Sequence, residues 1–282
     1  MAEIKFGACE WAFPCWGVSA VRMAHEAGFD GVQLGDGGAC MHAHPLRNKR
    51  VQDYYLNAGA KYDIVFPQIH LYTLGHLCFY RNAPDTVEGK LCKEIIENAV
   101  IAASEMGVPS VIIDAMKLNN AAKKKHALDY AKYAVRLGEE YGIQIGVEVD
   151  FTMEDHFRFL DDASTEEWKL RLCFDTHNPC MYGTGYPPDM IRALGKDRID
   201  HYHMKDNAGD AAGMVTYETP LVSFGTGIAN FTECIEAMKE IGYEGWVVAE
   251  NMYYQPGIRK GRTCVEAAKA DVEALHKAFG MK

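Results

Sequence analysis

The chain has no C-x-x-C pair. Its nine cysteines are scattered, which excludes a zinc ribbon and a thioredoxin-type motif, and free thiols in odd number suit a reducing compartment. No apolar run approaches the ~20 residues of a membrane-spanning helix. The opening stretch MAEIKFGACEWAF has no basic region leading into a long apolar run, so no signal peptide is expected and a cytoplasmic location is. Positive charge is also short. Lys and Arg number 29 against 39 Asp and Glu, a formal net charge of -10, which disfavours a nucleic-acid binder held by phosphate contacts. No low-complexity linker interrupts the sequence, and residues 1–282 read as one domain. Hydrophobic residues make up 48% and charged residues 24%, an ordinary globular balance.

What the chain does have is a recurring phrase: EAGFDGVQL, EMGVPSVII, EYGIQIGVE and EIGYEGWVV. Each is a helix end, a glycine and a short apolar run. The glycine suits the left-handed position that stops a helix, and the run reads as a buried strand. Gly28, Gly107, Gly142 and Gly242 are separated by 79, 35 and 100 residues, near two, one and three units of about 35. Eight such units fill the 282 residues and predict an α/β fold, a single (β/α)8 TIM barrel. The phase places strands near Lys5–Cys9, Gly31–Leu34, Ile64–His70, Ser110–Ile113, Gln144–Glu148, Arg171–Asp175, Asp200–Met204 and Trp246–Glu250. The second and third units are the weakest, because the helical pattern around Asn48–Gly59 is poor. In ANFTECIEAMKEIG, Asn230 reads as an N-cap with Glu233 three residues on, the spacing of a capping box. Lys123–Lys125 fall in another predicted helix and read as a solvated face.

In a barrel, alternate strand residues face the helices or the interior. Ile145, Val147 and Val149, then Leu172 and Phe174, Tyr202 and Met204, and Val247 and Ala249 can share the helix-facing set. Glu148, Asp175, His203 and Glu250 then all point inward at the C-terminal ends of four successive strands, the face where barrel enzymes build their sites. Three carboxylates in a closed space repel one another. Protonation or a bound cation relieves this, and three carboxylates with one imidazole make a donor set for a divalent metal, with Mn2+ expected and Co2+ or Mg2+ as alternatives.

These residues resemble the xylose-isomerase-like barrels, especially the sugar and sugar-phosphate isomerases and epimerases such as D-tagatose and D-psicose 3-epimerase. The pieces that carry the likeness are IGVEVDFTME, LCFDTHN, DHYHMKD and FGTGIANFTECIEAMKEIGYEGWVVAEN. The resemblance implies that Glu148, Asp175, His203 and Glu250 hold the metal. It further implies that Glu148 and Glu250 work on opposite sides of the substrate, one removing the proton beside a carbonyl and the other returning one. The metal would hold the carbonyl and the neighbouring hydroxyl and stabilise the enediolate. It also puts Glu154, six residues after the first metal Glu, and His201, the first His of H-x-H, on the substrate. Two places depart from the family. Asn178 stands where the epimerases have His, with His177 one place earlier, and Gly209 stands where they have Arg, with Lys205 and Asp206 following His203 instead. Asn178 and Lys205 are therefore carried as substrate-binding candidates beside Glu154, His201 and His70.

His70 in IVFPQIHLYTLG is expected to point inward alongside Gln68. Trp11 reads equally as core or as a sugar-stacking platform, and Tyr253 and Tyr254 as mouth or loop packing. His42, His44 and His76 sit in predicted loops, and GYPPD opens a helix with Pro at its first positions.

The expected activity is a divalent-metal-dependent sugar isomerase or epimerase working through an enediolate on a small carbohydrate, in a homo-oligomer. The alternative is a metal-dependent lyase or dehydratase on a keto sugar, resembling inosose dehydratase or the enzymes that cleave C-glycosides of 3-oxo-glucose with a small partner subunit. An endonuclease IV-like role is disfavoured, because histidine is missing at Asn178 and a D-x-H is missing after the seventh strand. A non-enzymatic metal-binding protein is the remaining reading.

Overall fold

The computed structural model describes residues 4–37, 43–77, 82–116, 118, 121–216 and 218–281, without the side chains of Thr73, His76, Leu77, Ala122 and Lys123. His42, the His76 ring and the Lys123 side chain lie outside the described residues. In chain order the elements are β1 (Ile4–Cys9), α1 (Val18–Ala27), β2 (Gly31–Gly35), α2 (Lys49–Tyr62), β3 (Gln68–Leu71), α3 (Tyr72–Leu77), α4 (Val87–Met106), β4 (Ser110–Asp114), α5 (Ala121–Tyr141), β5 (Gln144–Glu148), α6 (Met153–Ala163), β6 (Arg171–Asp175), α7 (Asn178–Tyr182), α8 (Pro187–Leu194), β7 (Ile199–Met204), α9 (Phe231–Glu240), β8 (Gly245–Ala249), α10 (Pro256–Arg259) and α11 (Cys264–Phe279). The eight strands form a closed parallel barrel in sequence order, the (β/α)8 fold expected. Gly28, Gly107, Gly142 and Gly242 all take positive φ, at 94°, 69°, 68° and 61°, so the helix-stop reading of the repeated phrase holds.

Contacts group the chain into two compact halves, one of residues 1–33, 58–65 and 174–282 and one of residues 34–57 and 66–173. In the first half, β1 pairs with β2 and with β8, and β7 pairs with β8. Two glycines make room inside it. A Cβ on Gly31 would fall 2.7 Å from the Trp246 ring, and one on Gly7 would meet Val248 and Trp246. This fixes the inward phase of β1 and β2, so two residues further along Cys9 and Gln33 point the same way. On the opposite phase, Tyr202, Met204, Val247 and Ala249 are fully buried, and Tyr202 meets Phe174 and Tyr243 edge-on.

In the second half, β3, β4, β5 and β6 pair in order. A Cβ on Gly138 of α5 would lie 2.6 Å from Ile145, so Ile145 faces that helix and its alternate, Gly146, the interior.

Three expectations are corrected. The third strand was expected over Ile64–His70 but runs Gln68–Leu71, with Val65 making an isolated bridge to Gly31, because Pro67 has no N–H for the ladder. The poor pattern at Asn48–Gly59 hides a regular helix, α2, in which Gln52 is buried and donates to the Leu46 carbonyl and to Glu105. Asn230 occupies the N-cap of α9 but in left-handed geometry (φ 58°) without a capping bond. Its amide donates to Cys180 Sγ instead, at 3.4 Å.

Candidate active site

Asp175, the last residue of β6, does two jobs with its two oxygens. Oδ1 accepts the backbone N–H groups of His177 (2.7 Å) and Asn178 (2.8 Å), which satisfies the open N-terminus of α7. That leaves Oδ2 to face Lys205, whose Nζ lies 2.6 Å away. The same ammonium reaches Glu250 Oε2 at 2.5 Å, while Glu250 Oε1 accepts the Trp11 indole N–H at 2.9 Å. His203 completes the group, with Nδ1 3.3 Å from Glu250 Oε2 and Nε2 2.7 Å from Gln33 Oε1. Asp175, His203 and Glu250 each present a ligand atom within 4.8 Å of the others, and all are buried. Two carboxylates and an imidazole form an oxygen-and-nitrogen donor set that can hold a divalent cation.

Around this trio the surroundings are buried. His201 and Gln33 are fully buried. Both ring nitrogens of His201 are engaged, Nδ1 with Asp200 at 2.8 Å and Nε2 with the Gln33 amide at 2.8 Å. Cys9 Sγ donates to Gln33 Oε1 at 3.3 Å. Burial pushes its thiol up from 9.0 to about 12, against the pull of His203, so it stays protonated. His177 is buried beside Asp175, and burial lowers its imidazole below the usual range although Asp175 pulls the other way. A neutral ring at the mouth follows. Trp11 is buried with its ring 6.2 Å from that of His203, and Tyr253 is buried while Tyr254 is exposed. Sequence reasoning missed Gln33, Cys9 and the Trp11–Glu250 bond. The signal for the first two was alternation from Gly7 and Gly31, but an amide or a thiol in a buried strand belongs to no motif.

In the second half, Glu148 ends β5 and His70 lies in β3, and both are buried. Glu148 Oε2 is 3.1 Å from His70 Nε2, so this carboxylate too is held in one orientation. Gln68 is buried on the phase of His70. Glu154 stands in the first turn of α6 with its side chain 82% exposed, paired with Arg158 at 2.6 Å, as a first-turn acid complementing the helix dipole does. Lys124 and Lys125 pair with Asp155 and Asp129, and His44 with Glu94. Among the described residues no helix is long and apolar enough to cross a membrane.

Comparison with known proteins bears on the fold and the family. The 2-epi-5-epi-valiolone 7-phosphate 2-epimerase of Actinoplanes sp. is 25% identical over 229 residues, 79% of this chain and 78% of that one. The inosose dehydratase of Geobacillus thermodenitrificans is 32% identical over 123 residues, 39% of this chain and 36% of that one. A solved structure of the IolI protein with a bound zinc atom superposes with a TM-score of 0.75 at 17% identity, covering 98% of both chains. The family model described as the Xylose isomerase-like TIM barrel matches residues 21–275, and the chain belongs to that family.

Proposed function

We propose that the protein is a divalent-metal-dependent sugar isomerase or epimerase that removes a proton beside a carbonyl. The observation that carries this reading is the convergence of Asp175, His203 and Glu250 at the ends of β6, β7 and β8. Glu148 is proposed as the fourth ligand, since it closes β5 as Asp175 closes β6 and shares the inward phase. The mixed oxygen and nitrogen set suits Mn2+ first, with Co2+ or Mg2+ as substitutes. A bound cation would supply Lewis acidity to a substrate carbonyl.

The chain's own residues do the rest. Glu250 is oriented by Trp11 and Lys205 and Glu148 by His70, so two positioned carboxylates are available as base and acid. The Lys205 ammonium, fixed beside Asp175 and Glu250, can hold a substrate oxygen and steady negative charge that develops there. Asn178, at the N-terminus of α7, and the neutral His177 before it offer hydrogen bonds to sugar hydroxyls.

A second reading is a metal-dependent dehydratase or lyase on a keto sugar. The inosose dehydratase relative supports it, as does Lys205, a cation able to assist a leaving oxygen. Product analysis on ketoses and keto-inositols in D2O separates the two, since both exchange the α-proton but only the lyase loses a group. The reading as a whole fails if chelator-stripped protein, or Glu250→Gln, keeps full activity on a sugar that the native protein converts.

A further inference from the structure

The first histidine of the H-x-H pair, His201, has both ring nitrogens in hydrogen bonds within the barrel, and its position points to a task there. Asp200, His201, Gln33 and His203 form one continuous line of hydrogen bonds, with distances of 2.8, 2.8 and 2.7 Å in that order. Its sense follows from one end. The Asp200 carboxylate can only accept, so His201 Nδ1 carries the proton. A neutral ring then has its lone pair on Nε2, which must accept from the Gln33 NH2 group. That turns the Gln33 oxygen towards His203, which must donate from Nε2. The Cys9 thiol, donating to the same oxygen, agrees with that orientation. The ring nitrogen that His203 turns towards Glu250 Oε2, at 3.3 Å, is thereby Nδ1, and a cation held there would take its lone pair.

We infer that Gln33 is a positioning residue. Together with His201 and Asp200 it fixes the tautomer and ring orientation of His203 so that Nδ1 is presented as a metal ligand. The assignment rests on the metal-dependent reading above for its purpose, while the proton on His203 Nε2 and the proton on His201 Nδ1 follow from the hydrogen bonds alone. Residues that donate or accept behind a ligand histidine commonly change metal affinity ten- to a hundredfold when removed.

The test is 15N spectroscopy of the histidine rings in the metal-free protein, combined with Mn2+ titration by calorimetry. Native protein should show His203 protonated at Nε2 and His201 at Nδ1. Gln33→Leu should leave His203 as a mixture of tautomers and weaken Mn2+ binding by about 10- to 100-fold. Gln33→Glu keeps an oxygen facing His203 but offers an acceptor to His201. It should preserve Mn2+ binding within about threefold while His201 gains a proton on Nε2, and it keeps the test decisive if the leucine variant fails to fold. His203 without a proton on Nε2 in the native protein overturns the inference, as does Gln33→Leu binding Mn2+ like native protein with unchanged ring signals. Native protein that takes up no divalent cation yet shows the derived tautomers leaves the relay standing and sinks the metal-dependent function instead.

Discussion

Replacing Lys205 with Met is the most telling perturbation, because it removes one charge and nearly no volume. The ammonium lies 2.6 Å from Asp175 and 2.5 Å from Glu250, with side-chain exposures of 13%, 2% and 9%. Those two carboxylates present oxygens within 4.8 Å of one another. At an effective dielectric of ~20, two unit charges at that distance repel by about 3.5 kcal/mol. Removing one partner of a buried charge cluster costs about 3–5 kcal/mol in the same range. Metal-free Lys205→Met is therefore expected to lose about 3 kcal/mol in urea unfolding, or about 5–10 °C in Tm. A divalent cation should reverse this. In the native protein it must compete with the ammonium, whereas the variant offers a vacant anionic site, so Mn2+ should bind the variant at least ~10-fold more tightly, each 1.4 kcal/mol being tenfold. The assay is urea unfolding with chelator and with saturating Mn2+. A metal-free variant as stable as native protein, or a Mn2+ stabilisation larger in native protein than in the variant, would refute the reasoning. If Mn2+ restores the fold but not turnover, Lys205 has its own task on the substrate.

Trp11→Phe removes the indole N–H from Glu250; a bond to a charged group is worth about 1.5–3 kcal/mol, so kcat should fall by about 10- to 100-fold with unchanged circular dichroism. Glu154→Gln should leave kcat/KM within about twofold, because an exposed pair such as Glu154–Arg158 contributes about 0–1 kcal/mol; a larger loss would return Glu154 to the substrate site. Asp271 is fully buried, accepting from Phe224 N–H and the Asn251 amide, and burial pushes its carboxyl from 3.8 to about 7. A raised acid value stabilises the fold below about pH 4 and loses that contribution as pH rises through 7, up to about 4 kcal/mol. Asp271→Asn should accordingly flatten the decline in urea midpoint between pH 5 and 8, and an unchanged slope would count against the shift.

The fold was legible because its signals are local. A glycine that must take positive φ, followed by an apolar run, marks a helix-to-strand junction without reference to the rest of the chain, and its spacing gives the number of units. The errors arose where one residue overrode a pattern. Pro67 sits inside an apolar run that alternation alone reads as a seven-residue strand, and Gly59 and Gln52 blur the face of α2, although Gln52 finds a tertiary partner in Glu105. The site was legible where chemistry stood at a strand end. Asp175 raised the choice between a helix cap and an active-site acid, and the two are compatible, since Oδ1 caps α7 while Oδ2 faces Lys205.

Gln33 was illegible for a different reason. Its partners are His201 and His203, 168 and 170 residues away, and nothing in GVQLG indicates that its amide must face two imidazoles. The phase of β2 places it inward only after Gly31 is seen to make room for Trp246. Motifs report groups placed where chemistry occurs, whereas the groups that fix a ligand's proton are set by packing between strands distant in sequence. A resemblance could transfer the H-x-H pair, but the task of its first histidine follows from what it touches, an acid on one side and an amide on the other.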